Sequence, residues 1–186
     1  MADAGRVIAG TARGIRLEAP GPGTRPLADR VKQTLFAILE PDLPGAAVLD
    51  LFAGSGAAGI EALSRGAGSA TFVEHDAAAV RVIKANLARA GLAGPNVNVV
   101  RDDALRWLRR ADAGPFDIVV VDPPYDRPEL LLEMLNMVGA VIGPDVRVVA
   151  KHFWRDAPPE TVGLLASERD RRFGETALTF YRRQEE

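Results

Sequence analysis

The tetrapeptide Asp122-Pro123-Pro124-Tyr125 is the part of this chain best equipped for chemistry. It follows an apolar run, residues 118–121, that is typical of a buried strand. Two consecutive prolines fix the backbone and donate no amide hydrogens, so we expect outward-facing carbonyl oxygens beside the Asp122 carboxylate. These two acceptors can hold both hydrogens of a planar amine while the Tyr125 ring stacks on the attached base. The motif therefore predicts a pocket for the exocyclic amine of a nucleobase.

The reaction expected in such a pocket follows from the electronic structure of the amine. Its lone pair is delocalised into the ring, so the nitrogen is a poor nucleophile. Acceptors that bind both hydrogens favour a pyramidal nitrogen and stabilise the positive charge that develops as it attacks an electrophilic carbon. Asp122 can then receive the surplus proton. A proline-rich turn with no catalytic role is the alternative, but ligands gather at strand ends in open α/β sheets, which favours the catalytic interpretation.

A glycine-rich turn upstream indicates where the electrophile binds. An apolar strand ends in Asp50-Leu-Phe-Ala, and Gly54-Ser-Gly56-Ala-Ala-Gly59 follows before a predicted helix. Gly54 and Gly56 can adopt positive φ and admit a ligand close to the backbone, whereas Gly59 permits close packing of helix and strand. The next strand ends twenty residues after Gly54, at Glu74, where a carboxylate can accept hydrogen bonds from ribose hydroxyls.

The same turn satisfies the fingerprint of nicotinamide dinucleotide proteins, so an oxidoreductase is one alternative. Asp50 lies four residues before Gly54, where it can meet the ammonium group of a methionine but would repel a pyrophosphate. This position favours S-adenosylmethionine. An oxidoreductase would also leave the Asp-Pro-Pro-Tyr turn without a role.

A third strand ends in Asp102-Asp103-Ala104, where an acid can bind an adenine amine. Asp103 is the preferred contact and Asp102 the alternative, although either acid can instead cap the helix that starts at Ala104. His75 can touch the adenosine or simply lie in a solvent-facing loop. Three neighbours of the strand-end acids complete the predicted cofactor site: Phe52, His75 and Ala104.

In order and spacing these motifs resemble the class I S-adenosylmethionine-dependent amino-methyltransferases. Three flanking segments, residues 6–17, 25–36 and 173–183, are similar to the RsmD family, and the resemblance covers nearly the whole chain. It implies methylation of guanine N2 in 16S ribosomal RNA, at the position conventionally numbered 966. The strand at residues 146–150 departs from the pattern, because it ends in Lys151-His152 where we expect an acid.

The resemblance and the alternation of strands with helices predict an α/β, Rossmann-like fold. We expect a mostly parallel seven-stranded sheet with an antiparallel C-terminal strand and helices on both faces. Residues 162–172 and 175–182 are predicted to form a hairpin that closes the sheet. Gly10 and Gly14 divide residues 6–18 into a small N-terminal β-hairpin. We expect an RNA-binding extension and linker at residues 1–26 and the methyltransferase domain at residues 27–186.

Composition excludes several other chemistries. The 186 residues are 47% hydrophobic, which suits one substantial core. The chain has no cysteine, so covalent methylation at pyrimidine C5 and radical chemistry at an iron–sulfur cluster are excluded. With two isolated histidines a metal site is not expected. No apolar run or signal segment indicates a membrane or export, so we expect a cytoplasmic protein. We also expect it to be a monomer.

Both ends of the chain are basic although the net charge is −2. Residues 1–32 contain six basic residues against three acids, and residues 169–183 contain five against two. Such segments suit RNA phosphates, so the predicted partner is 16S rRNA within the small ribosomal subunit or its assembly intermediate. An edge-strand arginine can also serve solubility alone. The predicted RNA contacts are Arg6, Arg13, Arg16, Arg25, Arg30 and Arg127.

Two further functions remain open from the sequence. A non-catalytic ribosome-assembly factor that binds the cofactor would keep every motif, and an adenine-N6 methyltransferase would differ only in its product. Trp154 can stack on RNA or pack under the loop at residues 155–161.

Overall fold

The structure is built around a mixed eight-stranded sheet with a separate two-stranded hairpin at the N-terminus. The computed structural model describes residues 2–21, 27–110 and 115–184. Along the chain the elements are β1 (Ala2–Arg6), β2 (Arg16–Ala19), α1 (Asp29–Leu39), β3 (Ala47–Leu51), α2 (Ala57–Ser64), β4 (Ser69–Glu74), α3 (Ala77–Arg89), β5 (Val97–Arg101), α4 (Ala104–Arg110), β6 (Ile118–Val121), α5 (Pro128–Val141), β7 (Arg147–Phe153), β8 (Thr161–Val162), β9 (Leu165–Phe173) and β10 (Thr176–Arg183).

The large sheet has the strand order β5-β4-β3-β6-β7-β10-β9-β8. The first five strands are parallel, whereas β10 is antiparallel to both β7 and β9. Strands β4 and β5 are added in turn on one side of β3. The chain then returns, and β6 and β7 are added on the other side. A crevice therefore opens between the ends of β3 and β6, where open α/β sheets bind their ligands.

The predicted fold class is confirmed, with two differences at the C-terminal side of the sheet. The sheet has eight strands instead of seven, because the two-residue strand β8 pairs with the start of β9. Strand β7 extends three residues past its predicted end at Ala150, since β10 continues to pair with it as far as Phe153. Lys151 and His152 therefore lie inside the strand and are buried.

Apolar side chains alternate along the central strands and form two layers, one on each face of the sheet. Val48, Phe72 and Val120 belong to a cluster with residues of α1, α2 and α3. Their neighbours Leu49 and Val73 belong to a second cluster with residues of α4 and α5. Strand residues that alternate in this way must bury both faces, so helices cover the sheet on both sides, as predicted.

The N-terminal hairpin confirms the predicted element but not its bounds. Strands β1 and β2 pair from Ala2 with Ala19 to Arg6 with Arg16, and the residues between them form a long turn. The backbone amides of Ile8 and Ala9 bond to the buried Glu61 carboxylate of α2, at 2.8 and 3.0 Å. These amides cannot also join a strand ladder, so the turn is longer than predicted, and only Arg6 and residues 16–18 of the predicted segment lie in β1 and β2.

The hairpin is fixed to the rest of the molecule by buried polar side chains. Asn86 of α3 is fully buried; it accepts from the Glu18 amide and donates to the carbonyls of Glu18 and Ser55, each at 2.9 Å. Lys32 of α1 is also fully buried and donates to the Arg6 carbonyl. Ser55 belongs to the glycine-rich loop, so Asn86 connects that loop directly to β2.

None of the helices in the described part of the chain is long and apolar enough to cross a membrane.

Candidate active site

Four acidic strand ends meet at one edge of the sheet. Asp50 lies in β3, Glu74 ends β4, Asp103 follows β5 and Asp122 follows β6. Because these strands are parallel, their carboxyl ends share the same edge, and the strand order places β3 between β4 and β6. The structure therefore brings the predicted cofactor-binding and catalytic acids to one edge of the sheet, which we call the catalytic edge.

The glycine-rich loop turns sharply between β3 and α2. Phe52, Gly54 and Gly56 have φ of 62°, 56° and 77°, and Phe52 is the one non-glycine residue with positive φ in the described part of the chain. A Cβ at Gly54 would meet nothing closer than the Phe52 carbonyl at 3.9 Å. The backbone at Gly54 is therefore open to a ligand. At Gly59 a Cβ would lie 2.3 Å from the Phe72 ring, so glycine is required there for close packing, as predicted.

Asp50 is a buried carboxylate in a negative environment. Its Oδ2 accepts from the Gly59 amide at 3.0 Å. Burial raises the pKa of Asp50 to about 8; the Gly59 hydrogen bond opposes this shift, whereas the charges of Asp122 and Glu74 add to it. A cation placed beside Asp50 would favour its ionised form. This environment fits the ammonium and sulfonium charges of S-adenosylmethionine and disfavours a pyrophosphate.

Glu74 ties the glycine-rich loop to the end of β4. Its Oε2 accepts from the Gly54 amide at 2.9 Å, and its Oε1 accepts from the Asp76 amide at 2.9 Å. His75 is 76% exposed, and its Nδ1 lies 3.0 Å from the same carboxylate. Oε2 has a second lone pair, so Glu74 retains capacity for a predicted ribose contact.

The two acids after β5 have different structural roles. Asp103 Oδ1 accepts from the Arg106 amide at 2.9 Å and caps α4, which is one of the alternatives that the sequence allowed. Asp102 forms ion pairs with Arg106 at 2.6 Å and with Arg110. Asp103 is the more exposed of the two acids, and Ala104 beside it is buried. The adenine contact at Asp103 remains a prediction.

Asp122 is held by a lysine that the sequence did not indicate. Lys151 Nζ lies 2.6 and 2.8 Å from the two carboxylate oxygens of Asp122, and its side chain is 8% exposed. Burial alone would lower the pKa of Lys151, but the charges of Asp122 and Tyr125 outweigh it and raise this pKa above its ordinary value. Lys151 is therefore a cation within the site.

The backbone and aromatic ring of the motif surround a small cleft beside this ion pair. The Pro124 carbonyl accepts from the Arg127 amide at 3.2 Å, whereas no donor in the described part of the chain reaches the Pro123 carbonyl. The Tyr125 hydroxyl lies 2.9 Å from Thr176 Oγ1, and its ring centroid lies 4.9 Å from Lys151 Nζ. The cleft is lined by Pro123, Pro124, Tyr125, Arg127, Pro128, Leu131, Lys151, His152, Phe153 and Asp156.

Lys151, Phe153 and Thr176 are the site residues that sequence reasoning missed. The parallel register pairs Val121 with Ala150, so the next residues, Asp122 and Lys151, lie side by side. A lysine at the end of an apolar strand was the available signal. It becomes informative only when β6 and β7 are known to be neighbours.

The predicted RNA-binding arginines are distributed unevenly around this site. Arg127 lines the cleft and lies 3.5 Å from Glu129. Arg6 pairs with Asp29 and Arg16 pairs with Asp3, both on the N-terminal hairpin side. Arg13 and Arg30 are exposed, and Arg13 lies in the hairpin turn that bonds to Ser64, at the opposite end of α2 from the glycine-rich loop. Arg25 lies outside the described residues.

No group of three or more metal-ligating side chains is arranged for a metal ion within residues 2–21, 27–110 and 115–184.

The parallel sheet, the glycine-rich loop and the strand-end acids together define the fold of class I S-adenosylmethionine-dependent methyltransferases. Solved structures agree with this class. The putative methyltransferase yhhF of Escherichia coli has a TM-score of 0.83 at 36% identity, over 97% of this chain and 98% of that one. An RNA methyltransferase from Salinibacter ruber, in complex with S-adenosyl-L-homocysteine, shares the fold at a TM-score of 0.69 and 18% identity, over 87% of this chain and 95% of its own.

Sequence comparison narrows the class to one family. The model of the family described as Conserved hypothetical protein 95 matches residues 5–182. The putative rRNA methyltransferase YlbH of Bacillus subtilis is 38% identical over 96% of this chain and 99% of its own length. The ribosomal RNA small subunit methyltransferase D of Escherichia coli is 37% identical over 96% of this chain and 90% of its own length. This chain belongs to that family, the RsmD family that the sequence resembles.

Proposed function

We propose that this protein transfers a methyl group from S-adenosylmethionine to the N2 amine of a guanine in 16S ribosomal RNA, at the position conventionally numbered 966. The substrate class is supported by the relative from Escherichia coli, whose name is ribosomal RNA small subunit methyltransferase D. The reaction is supported above all by one arrangement. The Asp122 carboxylate and the Pro123 carbonyl follow β6 at the crevice, beside the Tyr125 ring.

The residues of the catalytic edge fit the cofactor by charge and by space. Asp50 is a buried acid that a cation would favour, and the backbone at Gly54 is open to a ligand. When bound there, S-adenosylmethionine supplies an electrophilic methyl group. The residues proposed to hold it are Asp50, Phe52, Gly54, Gly56, Glu74, His75, Asp103 and Ala104.

The amine would be held and activated by Asp122 and the Pro123 carbonyl. Each of them accepts one N–H of guanine N2, while Tyr125 covers a face of the base. As the new N–C bond forms and the bond from carbon to sulfur breaks, positive charge develops on N2. The Asp122 carboxylate stabilises that charge and takes the surplus proton, which then passes to solvent. No covalent enzyme intermediate is needed.

Lys151 is a positioning residue in this mechanism. It binds both oxygens of Asp122, yet each oxygen keeps a second lone pair that can accept an amine hydrogen. The ammonium group places a positive charge 2.6 Å from one oxygen of the Asp122 carboxylate. It also fixes the plane of the carboxylate, because two short contacts restrict its rotation.

The target nucleotide must leave its stack for the amine to reach this cleft, which favours a loop or single-stranded site. Arg127 lines the cleft and is a proposed contact to the RNA. We further propose that residues 1–26 act as an RNA-binding extension and that the substrate is the small ribosomal subunit or its assembly intermediate.

The experiment that tests this function measures transfer of radiolabelled methyl to small ribosomal subunits that lack the modification. Wild type and Asp122→Asn are compared, because asparagine keeps the shape of the side chain and removes its charge and basicity. Nucleoside analysis of the product then identifies the methylated atom. We expect label in N2-methylguanosine with wild type and a rate lower by about 10²- to 10⁴-fold with Asp122→Asn.

Label in methyladenine would keep the mechanism and overturn the substrate. Binding of the cofactor without any transfer would favour the assembly-factor interpretation. An Asp122→Asn enzyme as fast as wild type would refute the role of Asp122.

A further inference from the structure

The turn between β9 and β10 lies at the catalytic edge. Thr176, the first residue of β10, pairs with Phe153, the last residue of β7. The Thr176 hydroxyl also contacts the hydroxyl of Tyr125 at 2.9 Å. The C-terminal hairpin therefore adjoins the proposed base pocket, and side chains near its turn are within reach of nucleotides next to the target.

A stacked guanidinium group occupies the outer side of this turn. The Cζ of Arg172 lies 3.5 Å from the centroid of the Trp154 ring, and its Nε donates to the Gly174 carbonyl at 3.0 Å. Arg155 lies 5.0 Å from the same ring. These contacts use the face and one edge of the Arg172 guanidinium. Its two terminal nitrogens form no ion pair with any carboxylate in the described part of the chain.

The neighbouring arginines are exposed as well. Arg155, Arg169 and Arg171 form no ion pair within the described ranges, although Asp156, Asp170 and Glu175 are close along the chain. Asp170 instead accepts from the Thr179 hydroxyl at 2.6 Å. The outer edge of β9 is open here, because β8 pairs only with its first two residues. We call Trp154, Arg155, Arg171 and Arg172 the C-terminal rim.

An aromatic row connects the base pocket to this rim. The ring centroids of Tyr125 and Phe153 are 6.4 Å apart, and those of Phe153 and Trp154 are 6.3 Å apart. Aromatic rings and arginine planes are the surfaces on which unpaired nucleotides stack. A guanidinium that is already stacked loses less freedom when it binds a phosphate, and it presents paired N–H groups in the correct plane.

We propose that the C-terminal rim binds the RNA strand that flanks the target nucleotide, with Arg172 and Arg171 on its phosphates and Trp154 supporting Arg172. The partner is single-stranded RNA, because a rigid duplex could not both enter the cleft and follow the rim. This inference rests on the proposed methylation of RNA. It assigns the RNA contact to a surface of which none of the six predicted arginines is part.

The test measures steady-state methyl transfer to unmodified small subunits by wild type and the double variant Arg171→Gln/Arg172→Gln. We expect KM for the subunit to rise by about tenfold, with kcat at saturation and the affinity for S-adenosylmethionine within about twofold of wild type. The slope of log affinity against log salt should fall by about 0.7 for each phosphate that the variant no longer binds. Trp154→Leu should raise KM by several-fold, because Arg172 loses its support.

Arg109→Gln is the matched control, since it removes an exposed arginine from the last turn of α4 and should leave KM unchanged. Unchanged KM and salt slope in the double variant would overturn the rim proposal while leaving the proposed function intact. If wild type itself transfers no methyl, the proposed function fails. The rim is then judged by direct binding of the same subunits, and equal affinity of wild type and double variant overturns it.

Discussion

The terminal segments 1–32 and 169–183 have the same excess of three basic residues over acids, but the hairpins that they contain differ in structure. In the N-terminal hairpin Arg6 and Arg16 are paired with acids, and the turn is bonded to α2 by Glu61 and Ser64. In the C-terminal hairpin Arg171 and Arg172 have no acidic partner among the described residues, and the turn lies at the catalytic edge. A local charge balance therefore does not identify an RNA surface. The partners and the position of each charge decide it.

The largest effect is expected at the catalytic edge between the two hairpins, at Lys151. Lys151→Met should lower kcat by about 10²- to 10³-fold, because Asp122 loses the cation that orients its carboxylate. Lys151→Arg should recover much of this loss, since arginine can also bind both carboxylate oxygens. The measurement is single-turnover methyl transfer together with cofactor affinity.

Lys84→Met, on the exposed face of α3, is the control and should be fully active.

The raised pKa of Lys151 also predicts how the free energy of unfolding depends on pH. The free energy of unfolding that wild type gains over Lys151→Met from this ion pair should be fully present below the ordinary lysine pKa of 10.5. It should be lost as the pH rises through the raised pKa of Lys151 in the folded protein. A Lys151→Met enzyme with normal kcat and pH profile would make the ion pair merely structural.

The second prediction concerns the attachment of the N-terminal hairpin. Glu61→Ala should lower the free energy of unfolding by about 2 to 4 kcal/mol, because two backbone amides and Arg65 lose a charged acceptor in a buried place. Denaturant unfolding measures this effect. Glu133→Ala removes an exposed carboxylate and should cost less than about 1 kcal/mol. A similar small cost for both variants would show that the hairpin is only loosely attached.

The third prediction concerns Asp50 and the pH dependence of cofactor binding, which involves neither hairpin. In the free protein Asp50 has a pKa of about 8, so at neutral pH it is mostly protonated, and a bound cation must favour loss of that proton. The affinity of wild type for S-adenosylmethionine should therefore rise with pH, by at most about tenfold per unit, between about pH 6 and about pH 7.5. Asp50→Asn should bind more weakly and lack this dependence. Identical pH profiles for the two proteins would exclude Asp50 from the cation site.

The smallest effect is expected at Arg16, and it tests whether the N-terminal hairpin contributes less to RNA binding than the C-terminal hairpin. Arg16→Gln breaks an exposed ion pair with Asp3 and should change stability by less than about 1 kcal/mol. Its effect on KM for the small subunit should be under about threefold, because Arg16 must leave Asp3 before it can bind a phosphate. If KM rose as much as in the Arg171→Gln/Arg172→Gln variant, the two hairpins would contribute equally to RNA binding.

Much of this site could be predicted because its signals are local. The apolar runs that end at Asp50, Glu74 and Asp122 indicate parallel strands, and parallel strands place their ends at one edge. Glycine at position 59 likewise has a local signature, and the contact with Phe72 shows why no larger residue fits.

The remaining features depend on contacts between distant segments. Lys151 meets Asp122 only through the register of β6 with β7, and β7 reaches Phe153 only because β10 pairs with it. The strand bounds of the N-terminal hairpin depend on Glu61, which lies more than fifty residues along the chain from Ile8 and Ala9. Sequence periodicity does not carry such information.

Asn86 connects the glycine-rich loop, where the cofactor is proposed to bind, to the N-terminal hairpin, which is proposed to bind RNA. Its single buried amide is shared between Glu18 of β2 and Ser55 of the glycine-rich loop. Movement of β2 would leave part of that amide without a partner, at a cost of about 1 to 3 kcal/mol, unless the loop moved with it. Asn86 therefore couples the position of the glycine-rich loop to that of β2. If the cofactor changes the affinity for a molecule that binds at β2 by some factor, thermodynamic reciprocity requires that molecule to change the affinity for the cofactor by the same factor.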